Sequence, residues 1–468
     1  MEQKVIIKTK VTKRLADVIT PVSLYLKVRD HFNNPVLLES NDFRSRENCF
    51  SIIGLEPIAS FIVQNQTITT QYPNQEIKNT PIVNPESVVP TFNAFIKQFD
   101  IQNTNLPPLV NGFLGHTSFE AVQYFDTLKF DASKKVHNIP DINYQLYRFL
   151  IVINHFKDEL FIIENMPVGE ISQTEKVLTL IESQNFGTYD FETQGEAGSN
   201  MTDQAFKDLV TLGKHHCQVG DVFQIVFSRQ FSQDFKGDEF NVYRVLRSIN
   251  PSPYLFSFDS GPYKLFGSSP EAQLVIEGKE ASVNPIAGTY RRTGNDAEDA
   301  IQATALLDDP KENAEHIMLV DLARNDLSRH TKNVRIKALK EVQYFSHVIH
   351  LVSKVIGDLE EDNDSFDIFA DTFPAGTLSG APKFKAIELI QKNENQLRGY
   401  YGGAIGFINF NGNINHAIII RSFLSKDNTL YSQAGAGIVV SSNEENELQE
   451  INNKLGALTK ALKMATEL

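Results

Sequence analysis

The sequence predicts a protein of mixed helices and long strands, in the α+β class. Near its end, apolar residues alternate with polar ones in three runs, separated by turn signals at residues 411–413 and 426–428. The following segment changes to helical spacing, with Leu448, Ile451 and Leu455 on one face. A meander of strands that feeds a helix is typical of this fold class.

The N-terminal part of the chain is predicted to be scaffold. Residues 20–64 indicate a helix followed by strands, and residues 85–165 alternate between helix-like and strand-like runs. The polar, glycine-containing run 184–202 predicts the principal linker. The sequence therefore predicts two regions, 1–185 and 200–468.

The second region carries nearly every motif. It begins with a helix that ends at Gly220 and a strand over 221–231, and two proline-bearing turns then lead into further strands. A second helix has Asp309 at its N-cap and Pro310 in its first turn. Residues 373–390 form a glycine-broken loop that enters a helix, a type of start that binds anions through free amides.

Composition narrows the class of protein. The 468 residues are 41% hydrophobic and 22% charged, as in an ordinary globular protein, and the length predicts two or three domains. A net charge of -14 argues against nucleic-acid or membrane-surface binding, which favours basic faces. No targeting segment or membrane span is predicted, and the two cysteines suit a reducing cytoplasm.

Two pairs of glutamates stand three residues apart on predicted helices. Glu312 and Glu315 lie on the first helix, and Glu447 and Glu450 on the last. Glu315 falls on the apolar side of its helix, where an unpaired carboxylate is costly and a cation is therefore expected. Carboxylate oxygens suit Mg²⁺, which uses few protein ligands and keeps waters.

Four single residues have both a chemical and a plain structural interpretation. Arg421 lies in an apolar row and predicts an anion as partner, although a structural carboxylate would serve equally. Glu271 begins a strand, as active-site carboxylates often do, or faces water as a loop residue. Gln224 and His350 are polar among apolar neighbours, and ordinary hydrogen bonding within a fold would explain both.

Eight segments in order resemble one enzyme family. The segments GDVFQIVFSR, NPIAGTYRR, AEHIMLVDLARNDLSR, AGTLSGAPK, YYGGAIGF, IIIRS, QAGAGIV and the ExxExxNK pattern strongly resemble the chorismate-utilising enzymes, and within them the large subunits of anthranilate synthase. The resemblance runs from Leu37 to Lys454. It implies an αββα fold in which two large antiparallel sheets pack together with helices outside.

The resemblance also implies a reaction. Large subunits of this kind convert chorismate and ammonia to anthranilate and pyruvate with Mg²⁺, the first committed step of tryptophan biosynthesis. Gln224 stands where isochorismate and salicylate synthases carry a lysine that activates water. Ala287 stands where aminodeoxychorismate synthases typically carry the lysine of PIKGT. Both differences favour ammonia as the nucleophile and anthranilate as the product.

Roles for individual residues follow from the same resemblance. Glu271 would protonate the departing C4 hydroxyl, His350 would assist pyruvate release, and Thr377 and Gln224 would complete the catalytic set. Glu315 and Glu450 would hold Mg²⁺, with Glu312 and Glu447 in support. The residues expected to contact chorismate are Gly288, Thr289, Tyr401, Arg421, Gly435, Ala436 and Gly437.

Regulation and partners are implied as well. Tryptophan would inhibit the enzyme at a pocket to which the N-terminal region contributes, formed by Glu39, Ser40, Asn250, Pro253, Tyr254 and Leu255. Neither Cys49 nor Cys217 has the glycine-rich surroundings of a glutaminase nucleophile, so ammonia is expected from a separate glutamine amidotransferase subunit. The alternatives are an aminodeoxychorismate synthase large subunit and a non-catalytic regulatory homologue.

Overall fold

The computed structural model describes residues 4–40, 49–102, 111–344, 348–360 and 363–468, with Thr289 described by its backbone alone. The α-helices are α1 (Pro21–Val28), α2 (Val88–Lys97), α3 (Thr174–Glu182), α4 (Asp203–Gln218), α5 (Phe240–Ile249), α6 (Asp296–Asp308), α7 (Pro310–Leu327), α8 (Ser365–Thr372), α9 (Gly376–Ser379), α10 (Lys383–Asn393) and α11 (Glu444–Ala465). Within the described residues, no helix combines the length and apolar character needed to cross a bilayer.

Strands make up much of the remaining structure. The first ten are β1 (Val5–Leu15), β2 (Val36–Ser40), β3 (Phe50–Gln64), β4 (Thr67–Gln71), β5 (Lys78–Pro81), β6 (Phe99–Gln102), β7 (Gly112–Thr117), β8 (Ile142–Asn154), β9 (Glu159–Pro167) and β10 (Phe191–Ser199). The others are β11 (Gln224–Gly237), β12 (Tyr254–Asp259), β13 (Lys264–Ser269), β14 (Ala272–Glu277), β15 (Glu280–Val283), β16 (Ile286–Arg291), β17 (Thr331–Tyr344), β18 (Val348–Leu359), β19 (Gly380–Ala381), β20 (Ala404–Asn409), β21 (Ile414–Ile418), β22 (Ser422–Lys426) and β23 (Thr429–Ile438).

The strands form two antiparallel arms that share β3. One arm continues from β3 through β2, β12, β13, β22, β23 and β11 to β10. The other continues through β8, β7, β20, β21, β14 and β15 to β18, which also pairs with β16 and β17. Strands of the N-terminal region therefore lie inside both arms.

Three apolar layers separate these arms from each other and from the helices. A central cluster joins Val36 and Phe256 of the first arm to Leu114 and Ile405 of the second. Helices α4, α5 and α11 pack in a second cluster against the outer face of the first arm. Helices α2, α7 and α8 pack in a third against the second arm. This order of layers confirms the predicted αββα arrangement of two packed antiparallel sheets.

Two local predictions were wrong. The run 184–202 contains β10, which pairs with β11. Its polar composition resembles a linker because the strand lies at an edge and is mostly exposed. The middle strand of the C-terminal meander is also interrupted: β21 ends at Ile418 and β22 begins at Ser422. Arg421 between them has a φ of 50°, which a continuous strand cannot contain.

Candidate active site

Two glutamates on α7 and two on α11 lie close enough for their charges to influence one another. Helix α7 begins where the Asp309 carboxylate accepts hydrogen bonds from the amides of Lys311 and Glu312, so Glu312 lies in its first turn and Glu315 in the next. Burial raises the pKa of Glu312, and the charges of Glu315 and of Glu450 on α11 add to the effect. The glutamate pairs of the two helices therefore face each other.

The second helix presents its pair in the same way. Glu447 is only 7% exposed. Its burial raises its pKa, and the charge of Glu450 adds a smaller increase. Its Oε2 atom is buried and has no hydrogen-bond partner among the described residues. A buried carboxylate oxygen without a donor is costly, which makes it available to a cation.

One carboxylate oxygen of Glu315 and one of Glu450 already have a partner in the protein. Gln224 Nε2 donates to Glu315 Oε1 at 2.7 Å, and Lys454 Nζ lies 2.6 Å from Glu450 Oε1. In the described part of the chain, no three acidic, histidine or cysteine side chains already close around a common point. The donor set nevertheless fits Mg²⁺, because hard carboxylate oxygens are present and this ion keeps waters or substrate oxygens as its other ligands.

Glu271 is a buried acid at the entry to β14. It is 9% exposed, and Thr377 Oγ1 donates to its Oε1 at 2.9 Å. Burial raises its pKa to about 7, against the opposing effects of Thr377, Lys454 and Arg421. The carboxyl group therefore holds a proton at neutral pH in a substantial fraction of molecules, as a general acid must.

Arg421 lies close enough to Glu271 for the two charges to interact. Burial lowers the pKa of its guanidinium, and Glu271 opposes this shift. Among the described residues, no carboxylate forms an ion pair with Arg421, so the structural partner considered above is not observed. A buried arginine that still lacks an anion is a binding group for a carboxylate ligand.

Glycines of β23 let polar groups approach the backbone. A Cβ at Gly437 would lie 2.7 Å from Gln224 Nε2, and one at Gly435 would lie 3.0 Å from the Tyr401 hydroxyl. Ala436 between them is fully buried and pairs with Phe227 of β11. These three residues lie within β23, in which small residues make room for Gln224 and Tyr401.

Strands β16 and β18 form another side of the candidate active site. Gly288 has a φ of 79°, and a Cβ there would lie 3.3 Å from Glu312 Oε2. The imidazole Nδ1 of His350 donates to the Gly288 carbonyl at 3.0 Å, and Thr289 pairs with His350 across the two strands. Burial lowers the pKa of His350 to about 4, so its ring is neutral near pH 7.

The six residues of the expected tryptophan pocket also come together. Strands β2 and β12 pair Ser40 with Tyr254 and Glu39 with Leu255, and Pro253 immediately precedes this pairing. Glu39 is buried and accepts hydrogen bonds from the Tyr243 hydroxyl at 2.6 Å and from Arg247 Nε at 2.7 Å. The set is completed by Asn250, which follows α5 and whose Nδ2 is buried without a partner among the described residues.

Sequence reasoning missed Lys454 as a site residue. Its ammonium group contacts Glu450 and also donates to the Gly435 carbonyl at 2.8 Å, so it joins the carboxylates to the glycine strand. The signal was present, because Lys454 follows Glu450 by four positions on the same helix. Tyr243 and Arg247 were missed as well, since only the tertiary fold brings α5 to Glu39.

Comparison with known proteins adds family evidence to this geometry. The model of a family described as chorismate binding enzyme matches residues 39–460. Anthranilate synthase component 1 of Neisseria gonorrhoeae is 37% identical over 480 residues, covering 98% of this chain and 95% of that protein. The protein of the same name from Aquifex aeolicus is 34% identical over 477 residues, covering 97% and 94% respectively.

Solved structures agree on the fold. Anthranilate synthase component I from Streptococcus pneumoniae superposes with a TM-score of 0.78 at 30% identity, covering 95% of this chain and 99% of that one. The menaquinone-specific isochorismate synthase MenF of Escherichia coli gives a TM-score of 0.75 at 18% identity, covering 99% and 96%. The second likeness concerns the fold alone.

Proposed function

This chain belongs to the family of chorismate binding enzymes, and we propose that it is the chorismate-converting large subunit of an anthranilate synthase. It would combine chorismate with ammonia to give anthranilate, pyruvate and water, as the first committed step of tryptophan biosynthesis. The observation that carries the proposal is the buried Glu271, whose pKa burial raises to about 7, near an Arg421 that has no ion pair among the described residues. Such a pair suits an anionic substrate that must lose a hydroxyl group.

The two carboxylates of chorismate have separate binding groups. Arg421, with Tyr401 beside Gly435, would bind the enolpyruvyl carboxylate. Glu315 and Glu450 would hold Mg²⁺ with Glu312 and Glu447 in support, and a bound Mg²⁺ supplies the positive charge that the ring carboxylate needs. The backbones of Gly288, Thr289 and Ala436 would line the space between these groups.

The first chemical step is loss of the C4 hydroxyl group. Glu271 would donate its proton to this oxygen, so that the C4–O bond breaks with its electron pair on oxygen and water leaves. Thr377 holds the Glu271 carboxyl in one orientation through its hydrogen bond. Ammonia forms the new bond at C2 of the ring, and its surplus proton returns to solvent.

Ammonia rather than water is favoured as the nucleophile. The Gln224 amide cannot remove a proton from water, because it has no basic nitrogen. Its Oε1 atom is buried without a partner among the described residues, so it can accept a hydrogen bond from an N–H donor. In the second step, the neutral His350 would serve as the base that assists pyruvate release and aromatisation.

Ammonia would come from a partner. The similar proteins are named as component 1, which implies a second component. We propose a glutamine amidotransferase, because Cys217 is a poor nucleophile: burial raises the pKa of its thiol, and its Sγ donates to the Ile438 carbonyl. We also propose a cytoplasmic location, because a chain with few cysteines suits a reducing compartment.

Feedback inhibition by tryptophan is part of the proposal. Glu39, Ser40, Asn250, Pro253, Tyr254 and Leu255 lie together where β2, β12 and the end of α5 meet. The buried Asn250 Nδ2 would donate to the tryptophan carboxylate, and Glu39 would attract its ammonium group. Arg247 and Tyr243 hold Glu39 in place for this contact.

The test is a direct assay of the purified chain. We expect anthranilate fluorescence and an equimolar amount of pyruvate when chorismate, Mg²⁺ and a high concentration of an ammonium salt are supplied. Accumulation of aminodeoxychorismate without pyruvate would instead assign the folate-type activity. A folded protein that binds chorismate and forms neither product would leave only a regulatory role.

A further inference from the structure

Two cavities lie on either side of the C-terminal half of α7 and share part of their walls. The outer cavity, about 370 Å³, opens to solvent beside Phe223 and Phe384, which are 72% and 44% exposed. The inner cavity, about 30 Å³, is lined by Glu271 and Thr377. Leu322 and Asp326 line both. These two residues therefore belong to the walls of both cavities.

The inner cavity has room and polar groups for a water molecule. Gln273 lines it and is 2% exposed; its Nε2 donates to the Thr372 carbonyl at 2.9 Å. Its Oε1 is buried and has no hydrogen-bond partner in the described part of the chain. A volume of about 30 Å³ exceeds the ~10–15 Å³ that one water needs, and Glu271 offers a second polar partner. A donor such as water satisfies both groups.

Asp326 is suited to pass a proton between the cavities. It is 9% exposed, and Lys383 Nζ donates to its Oδ2 at 2.6 Å and to the Thr372 carbonyl at 3.0 Å. Burial raises the pKa of Asp326; Asp371 adds to the effect, while Lys383 and Arg329 oppose it. Because burial favours the protonated form of Asp326 and Lys383 favours the ionised form, this carboxyl group can take up and release a proton.

The proposed function creates a need for this route. In every turnover Glu271 gives its proton to the C4 hydroxyl, and water is released next to a carboxylate that is now deprotonated. With substrate bound on one side of Glu271, a path on its other side would let the released water leave and a replacement proton arrive.

We infer that the two cavities form a water and proton path, in which Asp326 passes protons between solvent and the Glu271 carboxyl group through water held at Gln273. The inference rests on the proposed function of Glu271 as the acid. Asp326 does not touch the substrate in this scheme. It acts through Glu271, by restoring the proton that each turnover removes.

A comparison of the first turnover with later turnovers tests the path. In Asp326→Asn, enzyme whose Glu271 was protonated before mixing should complete its first turnover within about twofold of the wild-type rate. Steady-state turnover should fall about tenfold or more, because reprotonation then limits it, and an anthranilate burst should appear. Small weak acids that enter the outer cavity should restore the steady-state rate in proportion to their concentration.

Matched variants separate this role from a structural one. Asp321→Asn changes an exposed carboxylate on the same helix that lines only the outer cavity, and should leave both phases unchanged. Gln273→Leu removes the unpartnered acceptor while Asp326 and Lys383 remain, and should reproduce the burst if Asp326→Asn does not fold.

The path is refuted if first and later turnovers slow equally, or if neither slows, in the folded variants. Wild-type enzyme in the same assay keeps the two proposals apart. If it forms no anthranilate, the proposed function has failed; if it does and the variants show no burst, only the path has failed.

Discussion

The side chain of Glu271 is held in surroundings that favour its neutral form. Its pKa of about 7 lies above the usual 4.5, because burial outweighs the Thr377 hydrogen bond and the charges of Lys454 and Arg421. The unfolded chain therefore releases this proton at lower pH than the folded protein does. The group costs stability progressively as pH rises from 4.5 to 7, while it provides a proton donor near neutrality.

We expect Glu271→Gln to lower turnover and to raise the stability of the fold. Turnover should fall about 10²- to 10⁴-fold, with chorismate affinity within roughly threefold, because the amide keeps the shape but has no acidic proton. At pH 8 the free energy of unfolding should rise by up to ~3–4 kcal/mol, from a shift of pKa from 4.5 to about 7 at ~1.4 kcal/mol per unit. Stopped-flow fluorescence and urea denaturation measure the two effects.

The pH dependence of turnover is an independent test of the role of Glu271. Wild-type turnover should fall as pH rises through about 7, as Glu271 loses its proton. Glu277→Gln, at the exposed end of the same strand, should leave both the profile and the stability unchanged. Equal losses of turnover and chorismate affinity in Glu271→Gln would contradict the acid role.

Helices α7 and α11 are each ordinary in their local structure, and the candidate metal site depends on the tertiary fold, which brings their glutamates close enough for the charges to interact. Each begins with a capping side chain, Asp309 or Asn443, and each carries two glutamates one turn apart. Burial raises the pKa values of Glu312 and Glu447, and repulsion adds to the effect, by Glu315 and Glu450 on Glu312 and by Glu450 on Glu447. A cation that relieves the repulsion must stabilise the fold.

Mg²⁺ should therefore raise the melting temperature of the chain in the absence of substrate. Glu447→Gln should melt higher than wild type without Mg²⁺, because one repelling charge is gone, and should gain less from added Mg²⁺. Glu445→Gln, which changes an exposed carboxylate on the same helix, should respond as wild type does. Differential scanning calorimetry with and without about 10 mM MgCl₂ measures these melting temperatures. The same shift in wild type and both variants would contradict the magnesium site.

In the whole molecule, a buried ion pair joins distant parts of the chain. Arg398 is 1% exposed and binds Glu394 through Nε at 2.9 Å and through a terminal nitrogen at 2.7 Å. It also donates to the carbonyls of Leu378 and Val226. The Glu120 carboxylate, from the N-terminal region, accepts the Arg398 amide at 2.7 Å. These bonds join α9, β11 and the N-terminal region around one side chain.

Arg398→Leu should reduce the free energy of unfolding by roughly 3–5 kcal/mol, because Glu394 would remain buried without its partner. Adding Glu394→Leu should recover part of this loss, which would identify the unpaired charge as its cause. Arg324→Leu breaks an exposed pair with Asp321 and should cost less than about 1 kcal/mol. Urea denaturation at pH 7 compares the variants; equal costs at positions 398 and 324 would refute the argument.

The proposed regulation by tryptophan would also depend on the whole molecule, since the expected pocket combines β2 from the N-terminal region with β12 and α5. We expect Ser40→Phe to fill the pocket and abolish tryptophan inhibition, while the ammonia-dependent rate stays within about twofold. Ser248→Phe, at an exposed position on α5, serves as a bulk-matched control and should remain inhibited. Unchanged inhibition in Ser40→Phe would refute the pocket.

Local patterns in the sequence were sufficient for much of the structure. Helix α7 begins at Pro310 after the Asp309 cap, as predicted, because capping and periodicity act within a few residues. The glutamate pairs were recognisable from their spacing alone. The edge strand β10 was not, since an exposed strand and a linker share the same polar composition.

Only the tertiary structure decided how these parts meet. Strand β11 pairs with β23 some 200 residues later, and that pairing places Gln224 beside Glu315 and brings Gly437 close to both. The burial that gives Glu271 its proton likewise depends on neighbours distant in sequence. Local periodicity determines which side chains share a face, whereas burial and charge proximity depend on long-range packing, which no short stretch of this sequence specifies.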